Sequence, residues 1–309
     1  MDTGLGIDAG GTQTRWALAD AGGAIVAEGH VAGLSGLQMA SPAGRERVRA
    51  TFETLARDVL DASAAHGRPR RINAGLTGFG GDSTVLTGWL AELLGVAPRD
   101  ISLCNDIEIA FLDAFAPGAG YLVSAGTGSI AAFIDADGTF HRAGGRGVVL
   151  DDGGGGFWIA REAMRRIWRR EDEQPGAWRS SPLAQAVFDH VGGSDWAFSR
   201  QFIYARERGE IGQLALAVAR SADDDAEARE ILRQAGAELA RLARALVARF
   251  GARPIVLSGR AAQLHPLVAQ AMRESLPEVA NGMLALEQRT VRPHAAAARL
   301  AIRPESTTT

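Results

Sequence analysis

Two stretches of twenty residues, 11–30 and 126–145, are so alike that they constrain the fold of the whole chain. At a constant offset of 115 positions, seven of the twenty pairs are identical. This period is too long for a solenoid, whose repeats span roughly 20–50 residues. It therefore predicts two related domains, each opening with the same hairpin. The identical pairs are Gly11/Gly126, Thr12/Thr127, Ala17/Ala132, Asp20/Asp135, Ala21/Ala136, Gly23/Gly138 and Gly29/Gly144.

The bulk properties describe a globular protein. The chain has 309 residues, of which 46% are hydrophobic, enough for two domains of about 150 residues each. The net charge of −3 predicts no basic surface for nucleic acid or an anionic membrane. The sequence shows no targeting segment and no apolar run of about 20 residues, which predicts a cytoplasmic location. The single cysteine, Cys104, excludes an internal disulfide and a multi-cysteine metal site within one chain.

The chain contains no lysine, and all 33 of its basic residues are arginine. A GC-rich genome is a sufficient cause of this bias, but the chemical consequence holds regardless of the cause. A P-loop lysine, a protein-kinase strand lysine and a Schiff-base lysine are all excluded. If this protein binds a nucleotide, backbone amides, a metal ion and arginine must hold the phosphates.

Strand and helix patterns interleave in both halves of the chain, which predicts an α/β protein with mixed sheets flanked by helices. A helix is expected from the Ser41–Pro42 cap to about Ala65, and residues 182–250 are mostly helical in pattern. Pro117–Gly120 is a candidate domain joint, and the Glu305–Thr309 tail is expected to be disordered. The predicted strands are Gly4–Asp8, Thr14–Ala19, Ala24–Glu28, Arg71–Leu76, Ile101–Asn105, Tyr121–Ala125, Pro254–Leu257 and Met283–Leu286.

The first Gly-Thr turn places a carboxylate, glycines and hydroxyls in succession. Asp8 ends a buried strand, and glycines after it allow backbone amides to approach a phosphate closely. A single carboxylate can hold hydrated Mg²⁺ because this ion keeps several waters and also takes phosphate oxygens. An ordinary tight hairpin with a capping aspartate explains this turn equally well when it is considered alone. The candidate phosphate-binding residues here are Gly10, Gly11, Thr12 and Thr14.

The second turn repeats the pattern and carries the candidates Gly126, Thr127, Gly128 and Ser129. Alone it is an equally weak signal. Two matching turns with matching hairpins favour a two-sided phosphate clamp over two unrelated hairpins.

The paired turns resemble the two phosphate motifs of the actin-like sugar kinase superfamily. More narrowly, the chain is similar to the N-acetylglucosamine kinase and glucosamine kinase group, which is related to the activase ATPases of the benzoyl-CoA reductase type. The resemblance implies two actin-like (ribonuclease H-like) domains with a cleft between them. It assigns 1–116 plus about 290–309 to sugar and phosphate 1, and 117–289 to phosphate 2 and adenosine. It also implies ATP and Mg²⁺ as cofactors. The matching pieces are Asp8–Thr14, Gly75–Gly81, Asn105–Asp106, Gly126–Ser129, Gly144–Gly147 with Asp152, and Ser258–Gly259.

The resemblance assigns roles at the end of the fifth predicted strand. An aspartate there can accept the proton of a sugar hydroxyl, so Asp106 is the predicted general base and Asn105 a sugar ligand. Spacing alone favours a helix N-cap for Asp106. Gly75 and Thr77 belong to the matching loop and are further candidate substrate residues. Cys104 is predicted to be a strand residue rather than a nucleophile.

The chain departs from the family pattern in the loops that contact the sugar. The family glutamate and serine after Asp152 are Gly153 and Gly155 here, and a tryptophan often found upstream is Arg146. Asp152 remains a candidate for sugar or metal binding, with a helix N-cap as the alternative. The usual sugar-binding asparagine is missing, and Ser35 is its candidate replacement.

At the adenosine motif the family usually has a second small residue, and this chain has Arg260 after Gly259. Both residues are candidates for nucleotide binding.

These features predict ATP-dependent phosphorylation of an amino sugar, with the 6-hydroxyl of N-acetylglucosamine as the favoured acceptor. Glucosamine is the alternative substrate, an activase-type ATPase is the alternative enzyme, and a sugar-responsive regulator is the non-enzymatic alternative. The resemblance also implies a homodimer. No nucleic acid or membrane partner is expected.

Overall fold

The computed structural model describes residues 2–279 and 282–302. The predicted disordered tail, 305–309, lies outside these residues. The chain divides into two compact units: the described residues of Met1–Ala116 and Val291–Thr309 form unit 1, and Pro117–Thr290 form unit 2.

Unit 1 is built on a five-stranded mixed sheet with the order β3-β2-β1-β4-β5. Strands β1, β2 and β3 are antiparallel neighbours, whereas β4 and β5 extend the sheet in parallel. Short 3-10 helices cover Gly36–Ala40 and Pro98–Asp100. The other elements are β1 Thr3–Ala9, β2 Gln13–Ala19, β3 Ile25–Ala32, α1 Pro42–His66, β4 Pro69–Leu76, α2 Thr84–Leu94, β5 Ile101–Asn105 and α3 Asp106–Ala114, together with a C-terminal helix, Pro293–Ile302.

The alanine-rich C-terminal helix, Pro293–Ile302, belongs to unit 1 because small residues let it approach β1 very closely. A Cβ atom at Gly6 would lie 2.0 Å from the His294 carbonyl oxygen and 2.2 Å from the Ala298 amide nitrogen. At Gly4 it would lie 2.7 Å from the Ala298 carbonyl oxygen. Only glycine fits at such distances, so Gly4 and Gly6 determine where the helix packs on β1.

Unit 2 contains a second five-stranded mixed sheet with the order β8-β7-β6-β9-β12, and many more helices. None of the described helices combines the length and the apolar character needed to cross a membrane. A 3-10 helix covers Ala177–Ser180. The elements are β6 Tyr121–Ala125, β7 Ser129–Ile134, β8 Phe140–Gly144, α4 Gly156–Glu173, α5 Pro182–Val191, α6 Trp196–Ala205, α7 Arg208–Gln213, α8 Ala215–Ser221, α9 Ala226–Phe250, β9 Ile255–Ser258, α10 Pro266–Glu274, β10 Glu278–Val279, β11 Gly282–Met283 and β12 Leu286–Gln288.

The two sheets have the same strand order and the same strand directions. In each, three antiparallel strands are followed by two parallel ones. This confirms the predicted α/β class with mixed sheets and explains the internal repeat. Ala9 pairs with Thr14, but Ala125 pairs with Ser129, so the first turn is one residue longer. The offset of 115 therefore holds after the turn and becomes 116 before it, which makes Asp8 the register counterpart of Ser124.

Asp225 joins two helices of unit 2 by capping both of them. One carboxylate oxygen accepts hydrogen bonds from the amides of Glu227 and Ala228 at the start of α9. The other accepts from the Leu183 amide of α5 and from the Ser181 hydroxyl. Burial raises the pKa of Asp225, but these hydrogen bonds outweigh burial and lower the pKa below its ordinary 3.8.

Replacing Asp225 by Ala is expected to lower the free energy of unfolding by about 2 kcal/mol, because two helix caps are lost at once. Since the folded-state pKa is lowered, the stabilisation is present above pH 3.8 and is lost as the pH falls through the folded-state pKa. Denaturant unfolding at several pH values measures both effects. Asp195→Ala, which removes the single exposed cap of α6, is the control, with an expected loss of about 1 kcal/mol. Equal losses in the two variants would contradict the double cap.

Candidate functional site

The first Gly-Thr turn joins β1 to β2. The Gly10 carbonyl accepts a hydrogen bond from the Leu34 amide at 3.1 Å, and the Gly10 amide donates to the Gln13 carbonyl at 3.1 Å. Because the C=O and N–H of one peptide plane point in opposite directions, the Gly11 amide is directed away from Leu34. Gly11 and Thr12 are exposed, and among the described residues their amides have no hydrogen-bond partner. Successive free amides of this kind suit an anion.

The two hydroxyl residues that follow the turns lie inside their units. Thr14 is fully buried, and its hydroxyl has no partner among the described residues. Ser129 is buried as well, and its hydroxyl donates to the Gly153 carbonyl at 2.7 Å. The hydroxyls of Thr14 and Ser129 are therefore not accessible for the predicted phosphate contacts in this structure. The Thr12 side chain, in contrast, is exposed.

Two carboxylates of unit 1 lie at the ends of strands on either side of β4: Asp8 near the end of β1 and Asp106 directly after β5. Burial and the nearby Asp106 raise the pKa of Asp8 to about 7, while Arg15 opposes the shift. Burial also raises the pKa of Asp106, against hydrogen bonds from the Ile107 amide and the Thr77 hydroxyl. Two partly buried carboxylates, of which one raises the pKa of the other, form a place where a cation is stabilised.

The position of Asp106 is determined by its neighbours. Its carboxylate accepts the Ile107 amide at 2.9 Å. A Cβ atom at Gly75 would lie 2.9 Å from the Asp106 Cα atom, so buried Gly75 makes room for the start of α3. The N-cap alternative for Asp106 is wrong, because Asn105 is the N-cap of α3 and Asp106 is its first residue. Gly75 thus leaves space for the backbone of Asp106, and the Thr77 hydroxyl donates a hydrogen bond to its carboxylate.

Ser35 and Thr77 connect two loops of unit 1. The Ser35 hydroxyl donates to the Thr77 carbonyl at 3.2 Å and caps a 3-10 helix by accepting the Leu37 amide. The Gly36 amide also donates to the Thr77 carbonyl, at 2.8 Å. The hydroxyl predicted to contact the sugar is therefore engaged in local hydrogen bonds, and the role that the structure shows for Ser35 is to fix this loop.

Arg15 is a residue that the sequence argument missed. It pairs directly with Asp8 across the antiparallel β1–β2 ladder, so both side chains lie on one face of the sheet. Its side chain is exposed, and its Nε donates to Gln13 Oε1 at 3.0 Å. The predicted hairpin could have identified Arg15. If Ala9 and Thr14 close the turn, the next pair of residues across the two strands is Asp8 and Arg15.

The donor set of unit 1 fits a hydrated divalent cation rather than a closed metal cage. Within 2–279 and 282–302, no group of three or more His, Cys, Asp and Glu side chains is placed to hold a metal. Asp8 and Asp106 supply carboxylate oxygens, which Mg²⁺ prefers, and this ion takes its remaining ligands from water and phosphate.

The second Gly-Thr turn is held by the start of α4. The Gly156 amide donates to the Gly126 carbonyl at 2.8 Å, and the Phe157 amide donates to the Thr127 carbonyl at 3.0 Å. The amides of Thr127 and Gly128 belong to the same peptide planes, so they point away from the helix. Among the described residues these two amides have no partner. Unit 2 thus presents a second pair of free amides.

Asp152 lies directly against this turn. A Cβ atom at Gly128 would be 2.1 Å from Asp152 Oδ2, so glycine is required there. Asp152 Oδ1 accepts hydrogen bonds from the amides of Arg146 and Gly147, and its φ of 56° is left-handed. The helix N-cap alternative for Asp152 is wrong, because Gly155 occupies the N-cap of α4.

The four glycines at 153–156 allow the turn and two helices to meet. A Cβ atom at Gly155 would lie 2.7 Å from the Gly128 backbone, and one at Gly154 would lie 2.6 Å from the Ala235 carbonyl of α9. At Gly153 a Cβ atom would meet the Glu238 side chain at 2.8 Å. Gly153 and Gly155, which replace the family glutamate and serine, therefore allow close packing at this turn. The Glu238 carboxylate lies beside position 153.

Gly259 forms the tight turn after β9. Its φ is +102°, and a Cβ atom would lie 2.3 Å from the Ala125 carbonyl. That carbonyl also accepts the Ala261 amide at 2.9 Å. The adjacent Arg260 is exposed. The structure thus brings Gly259 to the end of β6, next to the second Gly-Thr turn.

Comparisons with known proteins agree with this architecture. The BadF/BadG/BcrA/BcrD ATPase family matches residues 5–298. The N-acetyl-D-glucosamine kinase of Dictyostelium discoideum is 28% identical over 178 residues, which are 55% of this chain and 55% of that protein. The chain thus spans about half the length of this curated relative.

Solved structures cover nearly the whole chain. A protein of Chromobacterium violaceum assigned as an N-acetylglucosamine kinase is 28% identical, with coverage of 97% of this chain and 98% of that one, and a TM-score of 0.71. A ROK family glucokinase of Streptomyces griseus, solved with glucose and AMPPNP, is 17% identical, with coverage of 96% and 98% and a TM-score of 0.60. These likenesses confirm the predicted two-domain actin-like fold. Because the family match covers almost all of the described residues, this protein belongs to the BadF/BadG/BcrA/BcrD ATPase family.

Proposed function

We propose that this protein transfers the γ-phosphoryl group of ATP to the 6-hydroxyl of N-acetylglucosamine. The observation that carries the proposal is the position of Asp106. Its carboxylate is partly buried at a strand end, is oriented by the Thr77 hydroxyl and lies near Asp8. The relatives with N-acetylglucosamine kinase names support the acceptor sugar.

In this proposal Asp106 accepts the proton of the 6-hydroxyl while the hydroxyl oxygen bonds to the γ-phosphorus and the bond to the ADP oxygen breaks. A strong base is not needed, because phosphoryl transfer depends chiefly on positioning and charge neutralisation. Asn105, adjacent to Asp106, is the proposed sugar ligand. Thr77 and Gly75 are positioning residues that keep the carboxylate in place.

The free amides of the two Gly-Thr turns are the proposed phosphate ligands. Gly11 and Thr12 supply them in unit 1, and Thr127 and Gly128 in unit 2. Mg²⁺ would neutralise phosphate charge, with Asp8 as its proposed protein ligand. Gly259 and Arg260 are proposed for adenosine, and Asp152 for a sugar or metal contact through Oδ2.

Two related functions remain as alternatives within the same site. Glucosamine kinase differs only in the acceptor, and an activase-type ATPase would hydrolyse ATP without sugar. Sugar-stimulated ADP release over a panel of sugars separates them, because sugar-independent hydrolysis would favour the activase. The cytoplasmic location and the homodimer stay predictions.

Asp106→Asn is expected to lower sugar-dependent turnover at least about 100-fold, because general base catalysis contributes on that order. The KM for sugar should change little, since the amide keeps the size and polarity of the side chain. Steady-state ADP release measures both constants. Asp58→Asn, an exposed carboxylate on α1, is the matched control. Near wild-type turnover in Asp106→Asn would exclude this base.

Gly128→Ala is expected to weaken ATP binding about tenfold or more, because the new methyl group would overlap Asp152 and displace the turn amides. Gly126→Ala is the control in the same turn, since a Cβ atom there meets nothing within 4 Å. Calorimetric titration with ATP gives the two affinities. Equal affinities would refute phosphate binding by this turn.

A further inference from the structure

Arg208 is an exposed cation without an assigned role. It is the first residue of α7, next to the capping box formed by Glu207 and Glu210. Glu210 pairs instead with Arg206, at 3.2 Å. Within the described part of the chain no carboxylate forms an ion pair with Arg208. Its guanidinium is therefore available to a ligand.

The helix that carries Arg208 is seated on the second Gly-Thr turn. A Cβ atom at Gly212 would lie 3.6 Å from Thr127 Cγ2 and 3.4 Å from the Phe157 amide nitrogen. A Cβ atom at Gly156 would lie 3.1 Å from the Gly212 carbonyl oxygen. Arg208 and Gly212 are four residues apart and share one face of the helix. The face that packs on the turn thus also carries residue 208.

The charge of Arg208 acts on the carboxylate beside this turn. Burial raises the pKa of Asp152; hydrogen bonds from the Gly147 and Arg146 amides oppose that shift, and Arg208 opposes it further. Asp152 in turn lies against Gly128. The guanidinium, the carboxylate and the free amides of Thr127 and Gly128 therefore occupy one region of unit 2.

We infer that Arg208 binds the phosphate chain of the nucleotide at the second turn. A phosphate held by neutral amides alone keeps its charge uncompensated, and in this chain only arginine can supply a permanent cation. A guanidinium offers forked N–H donors that match two phosphate oxygens at once. The inference rests on the proposed nucleotide site and adds to it a residue outside both glycine turns.

The test compares Arg208→Ala with Arg206→Ala, a neighbouring exposed arginine of the same charge. Titration calorimetry measures the Kd of each variant for ATP, ADP and adenosine, and thermal unfolding checks the fold. Arg208→Ala should weaken ATP and ADP about tenfold, as expected for one charge-assisted hydrogen bond, and leave adenosine unchanged. Arg208→Lys should recover part of the loss, and Arg206→Ala should bind all three ligands like the wild type.

Wild-type ATP affinity in Arg208→Ala, or an equal loss for adenosine, would overturn the inference. If Gly128→Ala weakens ATP binding while Arg208→Ala does not, the turn binds phosphate and Arg208 alone is wrongly assigned. If the unaltered protein binds no ATP, the proposed function fails and the inference fails with it.

Discussion

Two hydrogen bonds from the first turn of α4 determine the direction of the second Gly-Thr turn. The Gly156 and Phe157 amides hold the carbonyls of Gly126 and Thr127, and the trans peptide planes then turn the next two amides outward. The orientation of these donors is thus set by helix packing before any ligand arrives. Donors that are already oriented cost little reorganisation when an anion binds.

The hydrogen bonds from the Gly156 and Phe157 amides form only because the chain packs closely around the turn. The glycine run 153–156 lacks the Cβ atoms that would collide with the turn and with α9. Asp152, just before the run, adopts a left-handed backbone, which costs a non-glycine residue roughly 1 kcal/mol or more. Two amide hydrogen bonds to its carboxylate offset this cost. Strain in a non-glycine residue next to the turn is consistent with a functional role for Asp152.

Local patterns predicted the fold well because the two hairpins carry their own turn and cap signals. Tyr121–Ala125 was predicted with its observed bounds, and the Ser41–Pro42 start of α1 is also observed. What sequence could not show is which partner each polar side chain finds. The assignments of Ser35 and Thr14 changed because tertiary contacts engage or bury their hydroxyls.

The sequence argument missed Arg15 and Arg208, one near each turn, because each meets its carboxylate through pairing or packing of the folded chain. The two contacts span very different distances along the sequence. Arg15 reaches Asp8 through strand register, a short-range relation that hairpin alternation encodes. Arg208 comes near Asp152 only because α7 packs on a turn some eighty residues earlier in the chain. No local pattern contains that contact, so only the folded unit can reveal it.

The duplicated sheet also shows why the two turns cannot be chemically equivalent. Strand register matches Asp8 with Ser124 and Gly75 with Ser258. Unit 1 therefore carries a carboxylate at a strand end where unit 2 has a serine. The nearby Asp106 and burial disfavour the ionised form of Asp8, and a cation or a proton would compensate that charge, which supports the proposal that unit 1 takes the metal ion and the proton while unit 2 binds phosphate with amides.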